Sequence, residues 1–140
     1  MRFSTRGEYG LRAMLVLADN YQQEPKPLRE IAQAEAISEQ YLEQLFRELK
    51  RAGLVDSRRG ARGGYVLSAP PEQISMDRVI QALEGPIGPM ECVTEAGEDL
   101  CAREHCATRI LWQKLKSAME AVLSGTTLAD LLGEAKRSEP

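Results

Sequence analysis

The stretch Ile37-Ser-Glu-Gln-Tyr-Leu-Glu-Gln-Leu-Phe-Arg-Glu-Leu-Lys-Arg-Ala-Gly-Leu-Val-Asp-Ser-Arg-Arg-Gly-Ala-Arg-Gly-Gly-Tyr65 decides the fold. Its first part reads as a helix with a start and a stop. Ser38 can accept from an orphan N–H of the first turn, and Gly53 suits the left-handed residue past the end. Leu42, Leu45, Phe46 and Leu49 recur at helical spacing and form a stripe to be buried. That leaves Glu39, Gln40, Glu43, Gln44, Arg47 and Lys50 on the other side, rich in planar groups of the kind that read base edges. The second part places Arg58, Arg59 and Arg62 on a glycine-punctuated turn between two β-prone runs, Leu54-Val55 and Tyr65-Val66-Leu67. A helix followed by a basic hairpin predicts a winged helix-turn-helix.

Working outward, Pro27 begins a short helix through Leu28, Ile31 and Ala32, so residues 27–51 form the helix-turn-helix pair, with a turn at Glu35-Ala36-Ile37. Before it, residues 5–20 start at a Ser4-Thr5 cap and carry a stripe of Tyr9, Leu11, Met14, Leu15 and Ala18. After the hairpin, Ala69-Pro70-Pro71 breaks regular structure, and Ser75 is placed to cap a helix with Met76, Val79, Ile80 and Leu83 inward, ended by Gly85-Pro86. Thr108 to Ser124 returns as a long amphipathic helix. Leu111, Leu115, Ala118, Met119, Val122 and Leu123 lie on one face, widened by Ile110 and Trp112. That is more apolar face than a chain this small needs, which predicts pairing with a second copy. Gly125 stops it, Thr127 caps a short helix from Leu128 to Leu132, and residues 136–140 read as a frayed tail. The expected architecture is mainly α with a small β-wing. It divides into a DNA-binding unit (1–84), a cysteine loop (85–107), a dimerisation helix (108–125) and a short closing helix with its tail (126–140).

The 140 residues suffice for one core, and a hydrophobic fraction of 43% excludes wholesale disorder. No apolar run approaches the ~20 residues of a membrane span. The chain opens on Arg2 and Phe3 rather than a signal peptide's apolar region, so the expected compartment is the cytoplasm, with no membrane partner. A net charge of −3 argues against a generic polyanion binder but conceals an asymmetry. Residues 1–70 hold 11 Lys/Arg against 9 Asp/Glu, whereas residues 71–140 hold 7 against 12. Between 47 and 62, six basic residues (Arg47, Lys50, Arg51, Arg58, Arg59, Arg62) face only Glu48 and Asp56. This is a confined, phosphate-facing patch.

Cys92, Cys101 and Cys106 share one acidic stretch poor in large apolar residues. An odd cysteine count does not suit a closed disulfide framework. Thiolates are soft ligands for zinc or iron–sulfur clusters; with no Cys-x-x-Cys knuckle here, the wide spacing better fits wrapping a cluster. A fourth ligand has two candidates. His105 adjoins Cys106, so joint ligation of one iron is awkward; Glu8, on the first helix of a dimer mate, offers a carboxylate. No flavin or nucleotide motif is present and His105 has no evident Ser or Asp partner, so no enzyme is expected.

The opening Met-Arg-Phe-Ser-Thr-Arg-Gly-Glu-Tyr-Gly-Leu-Arg-Ala-Met, the Ile-Ser-Glu-Gln-Tyr-Leu-Glu-Gln-Leu-Phe helix, the Arg-Gly-Ala-Arg-Gly-Gly-Tyr hairpin, Leu-Glu-Gly-Pro, the three cysteines and the late Leu-Trp helix together resemble the IscR type of the Rrf-two family of bacterial winged-helix regulators. The resemblance runs to about residue 132. It implies a homodimer on palindromic operator DNA, acting as a repressor of iron–sulfur cluster biogenesis genes, with a 2Fe–2S cluster as cofactor. Carried onto this chain, the cluster ligands are Cys92, Cys101 and Cys106. The DNA-facing set is Arg2, Ser38, Glu39, Gln40, Tyr41, Glu43, Gln44, Arg47, Arg58, Arg59, Arg62, Gly63 and Gly64, with Glu43 as the residue that sets base preference. Two departures matter. The family's cluster histidine, three residues after the last cysteine, is Arg109 here. Position 8, usually basic in the IscR type, is Glu8, as in related nitric-oxide and redox sensors whose acidic ligand comes from the other subunit. This supports Glu8 as fourth ligand and keeps 4Fe–4S open beside 2Fe–2S. Alternatives of the same fold are a nitric-oxide or redox sensor, a cysteine-metabolism regulator (a branch lacking this cysteine trio) and a cluster-free thiol or zinc sensor.

Overall fold

The computed structural model describes residues 3–90, 93 and 107–139. Helix α1 (Thr5–Asp19) starts at Ser4, whose hydroxyl accepts from Arg6 N at 3.2 Å, and buries Gly7, Gly10, Ala13, Met14, Leu17 and Ala18. The small residues on that face let α4 approach closely: a Cβ at Gly10 would lie 2.4 Å from Leu83 Cδ1. Helix α2 (Leu28–Glu35) follows Pro27 and ends at Ala36 in the left-handed region, at φ +55°. Helix α3 (Glu39–Arg51) is capped by Ser38, whose hydroxyl accepts from Tyr41 N at 3.1 Å, and it stops at Gly53, at φ +76°. Leu42, Leu45, Phe46 and Leu49 are buried as the spacing predicts. Fully burying each such side chain contributes about 1.5–3 kcal/mol.

Strands β1 (Val55–Arg58) and β2 (Gly64–Leu67) pair antiparallel, with Val55 opposite Leu67 and Arg58 opposite Gly64. Arg58 therefore closes a strand, leaving Arg59 and Arg62 on the tip. A single 3-10 turn, Pro71–Gln73, precedes α4 (Met76–Glu84), which buries Met76, Val79, Ile80 and Leu83. Ser75 sits at the start of α4 without capping it, because its hydroxyl is taken up by the Asp77 carboxylate. The backbone is tied down there instead: Met76 N donates to Thr126 O (2.9 Å), and Leu128 N to Ile74 O (2.8 Å).

Helix α5 (Ala107–Ser124) packs against α4 yet buries no residue completely. Its apolar surface is split into two faces. Trp112, Met119 and Leu123 are half-buried, while Leu111, Leu115, Ala118 and Val122 form a second, exposed stripe. Helix α6 (Leu128–Arg137) is longer than the sequence suggests. A reciprocal Thr127–Asp130 capping box starts it, Leu128 is fully buried in the core, and Lys136 pairs with Asp19 of α1 at 3.5 Å. Packing along α1 carries the helix into residues expected to fray. No helix among the described residues is long and apolar enough to cross a membrane.

Candidate nucleic-acid interface

The buried stripe of α3 fixes which way its other side looks. Glu39, Gln40, Glu43, Gln44, Arg47 and Lys50 are all exposed, forming one polar row that begins at the capped end. The Ser38 hydroxyl is committed to the cap. Tyr41 is half-buried and turns toward α1: its ring meets Tyr9 edge-on, with centroids 6.3 Å apart, and its hydroxyl lies 3.3 Å from Thr5 Oγ1. The exposed row is thus braced from behind.

Three contacts fix the hairpin beside that row. Phe46 of α3 meets Tyr65 edge-to-face, with centroids 4.7 Å apart. Lys50 Nζ donates to Ser57 Oγ at 2.7 Å. The segment before α2 adds a short bridge, Lys26 N to Tyr65 O (3.0 Å) and Tyr65 N to Lys26 O (2.9 Å), which the sequence did not announce. Gly63 and Gly64 have a packing reason of their own. A Cβ at Gly64 would lie 2.4 Å from the Lys26 carbonyl, and one at Gly63 2.4 Å from the Arg58 oxygen. Gly63 lets backbones approach within the wing, and Gly64 lets the wing approach the segment before α2.

Arg58, Arg59 and Arg62 are exposed. Arg62 pairs with Glu24 of the α1–α2 loop at 3.2 Å, while Arg47 and Arg59 make no ion pair to another described residue. Arg6 was missed from the sequence. It borders a cleft of about 340 Å³ shared with Tyr41, Gln44, Arg47 and Arg51, so the start of α1 adds a guanidinium beside the exposed row of α3. Only tertiary packing brings position 6 to α3; no local pattern signals it.

Arg2, Cys92, Cys101, His105 and Cys106 lie outside the described residues. Glu8 is exposed in the first turn of α1, paired with Arg12 at 2.8 Å. Among the described residues no three His, Cys, Asp or Glu side chains gather at metal-binding spacing. Of the two candidates for a fourth donor, Glu8 is exposed on α1, whereas His105 lies with the three cysteines outside the described residues; thiolates joined by a carboxylate or an imidazole are chemically suited to iron–sulfur ligation.

The carboxylate of Glu84, the last residue of α4, lies at the start of α1. Its Oε1 accepts from Ser4 N (2.9 Å), Ser4 Oγ (2.6 Å) and Gly7 N (2.9 Å). First-turn amides have no partner within their own helix, and a carboxylate satisfies them while complementing the helix dipole. Glu84 belongs to the Leu-Glu-Gly-Pro motif, yet its partners lie about 80 residues away in sequence.

A family model described as "Rrf2: Iron-dependent Transcriptional regulator" matches residues 3–134. The chain is 45% identical over 131 residues to the HTH-type transcriptional regulator CymR of Bacillus subtilis, covering 94% of this chain and 89% of that one. It is 38% identical to the HTH-type transcriptional regulator IscR of Aliivibrio salmonicida, over 94% and 77% of the two chains. Among solved structures it is similar to CymR of B. subtilis, described as the global cysteine regulator (TM-score 0.82, 43% identity, 96% and 98% covered). It is equally similar in shape to IscR of T. potens (TM-score 0.82, 37% identity, 100% and 92% covered). The branch expected from the cysteine trio is thus matched, but identity to the cysteine regulator is higher. With the winged helix-turn-helix and these relatives agreeing, the chain belongs to the Rrf2 family of transcriptional regulators.

Proposed function

We propose that this protein is a homodimeric DNA-binding repressor in which α3 enters the major groove and the wing lies along the adjacent backbone. The observation that carries this reading is the exposed row Glu39, Gln40, Glu43, Gln44 and Arg47, beginning at a capped helix end and flanked by the wing arginines. In a helix-turn-helix the second helix presents its N-terminal residues to base edges. Arg47, Arg58, Arg59 and Arg62 then hold phosphates, giving register and a steep salt dependence, while Gln40, Glu43 and Gln44 discriminate bases. A palindromic duplex selected by the protein from a random pool supplies the probe. Measured on it by fluorescence anisotropy, Arg59→Ala weakens all duplexes alike, whereas Glu43→Ala compresses the ranking between the selected duplex and its single-base variants. An unchanged ranking in Glu43→Ala removes that residue from base discrimination.

The same reading makes operator affinity depend on an iron–sulfur cluster, 2Fe–2S or 4Fe–4S, held by Cys92, Cys101 and Cys106. Glu8 of the second subunit is then the fourth donor, and genes of cluster biogenesis are the targets. The family's description as iron-dependent and the IscR relatives support this. When bound, the cluster supplies a redox- and ligand-sensitive crosslink between thiolates, and it shifts DNA affinity only by the difference in its own affinity for the two protein arrangements. Glu8 must exchange Arg12 for the metal. Anaerobic protein is expected to contain iron and sulfide and to absorb visible light, with Glu8→Ala lowering the iron content.

A second reading, regulation of cysteine metabolism, is favoured by the 45% identity to CymR. Anaerobic material devoid of iron and sulfide, yet still binding its selected duplex, would favour it, or a cluster-free thiol or zinc sensor of the same fold, over the cluster reading.

A further inference from the structure

We infer that Glu84 is a positioning residue for the reading helix, joining the point where the cysteine-bearing segment leaves α4 to the first turn of α3. The inference rests on the reading of α3 as the DNA reader. One carboxylate oxygen gathers three donors from the start of α1: Ser4 N, Ser4 Oγ and Gly7 N. The fit is close on every side. A Cβ at Gly7 would lie 2.5 Å from that oxygen, so the glycine is what admits the carboxylate. On the other flank of the same helical turn, Thr5 Oγ1 meets the Tyr41 hydroxyl at 3.3 Å and the Tyr9 ring meets the Tyr41 ring. Tyr41 in turn supplies the amide that the Ser38 cap accepts from, at the end of α3 where the exposed row begins. Immediately after Glu84 comes Gly85, at φ +85°, and from there the chain runs to the three cysteines.

The contacts therefore form an unbroken series, from Glu84 to the Ser4–Gly7 turn, to Thr5 and Tyr9, to Tyr41 and the α3 cap. Three hydrogen bonds to one charged acceptor hold α1 as a stiff strut, because charge-assisted bonds are stronger than neutral ones. A displacement of α4's end shifts the first turn of α1, which packs directly behind the reading row. Spatial adjacency alone does not demonstrate coupling; energetic non-additivity does.

The test uses the full chain and the duplex it selects. Glu84→Ala is expected to weaken binding to that duplex at least fivefold, within the ordinary range of coupling between sites. It should also speed amide exchange both at Gly7 and at Tyr41, leaving the amides of α6 unchanged. Glu84→Gln, which keeps an oxygen acceptor, restores most of the affinity. In a Thr5→Val, Tyr9→Leu background, where both the hydroxyl and the ring link to Tyr41 are gone, Glu84→Ala changes affinity by less than about twofold beyond that background alone. A merely local role would move only the α1 amides, and that result, with operator affinity within twofold of wild type, overturns the inference. Should Glu84→Ala lose its helical signal, Ser4→Ala, which deletes one of the three donors, takes its place: weaker duplex binding with faster exchange at Tyr41 supports the inference, and wild-type affinity with only α1 amides moved overturns it. A wild-type chain that selects no duplex would sink the DNA-reading assignment itself; tight wild-type binding beside an unaffected Glu84→Ala sinks only the role of Glu84.

Discussion

At the residue scale, Glu24 and Arg62 illustrate how the wing is held against the body. The pair spans the α1–α2 loop and the hairpin at 3.2 Å, with both side chains largely in solvent. An exposed pair of this kind contributes only about 0.2–1 kcal/mol, so it is easily exchanged for a phosphate contact. Glu24→Gln frees the guanidinium and removes an anion from the binding face. Operator affinity in low salt is therefore expected to rise about twofold to fivefold, and the gain to shrink as salt is added, as anisotropy titrations at two ionic strengths would reveal. An unaltered affinity would mean that Arg62 does not reach the backbone of the duplex. Arg6 makes the complementary point. It stands beside Gln44 and Arg47 only because α1 crosses behind α3, and nothing at positions 4–8 of the sequence distinguishes it from any other helical arginine.

At the scale of elements, the strongly periodic segments were readable and the split ones were not. The α3 stripe, its serine cap and its terminal glycine follow directly from spacing, because burial and capping act within one helix. Helix α5 defeats that logic. Its apolar residues read as one wide face, but the structure separates Trp112, Met119 and Leu123, turned toward the protomer, from Leu111, Leu115, Ala118 and Val122, turned outward. Leu115 is 41% exposed and Val122 66% exposed. An outward stripe at helical spacing is what a two-fold helix pair would cover. If the proposed homodimer pairs through this stripe, Leu115→Glu is expected to sediment as monomer where the unsubstituted chain sediments as dimer, with the far-UV helical signal left in place, since the side chain lies outside the protomer core. A variant that still sediments as a dimer would place the subunit contact elsewhere. Helix α6 extends past its expected end for a related reason: its last turns are held by α1 and by Lys136–Asp19, neighbours invisible to a local reading.

At the scale of the whole molecule, the fold class and the exposure of the polar side of α3 were legible because they depend on periodicity and on turn chemistry, both written in short stretches. The bracing was not. Lys26–Tyr65, Glu84–Ser4 and Met76–Thr126 join residues 39, 80 and 50 positions apart, and such partners emerge only when the chain is folded. The cysteine trio was legible as chemistry alone, since its three thiols lie outside the described residues. One of those long-range ties reaches further. The amide of Met76 bonds Thr126, and the amide of Leu128 bonds Ile74, so the chain entering α4 and the chain leaving α5 are fastened to each other, while α4 itself stays packed on α1 and α3. That pair of bonds works as a buckle, holding in step two points of the chain 50 positions apart. If the chain is made as two polypeptides divided at residue 98, the pieces should therefore co-purify as one body with the hairpin and α3 in native register, as native mass spectrometry and a selected-duplex binding curve would record.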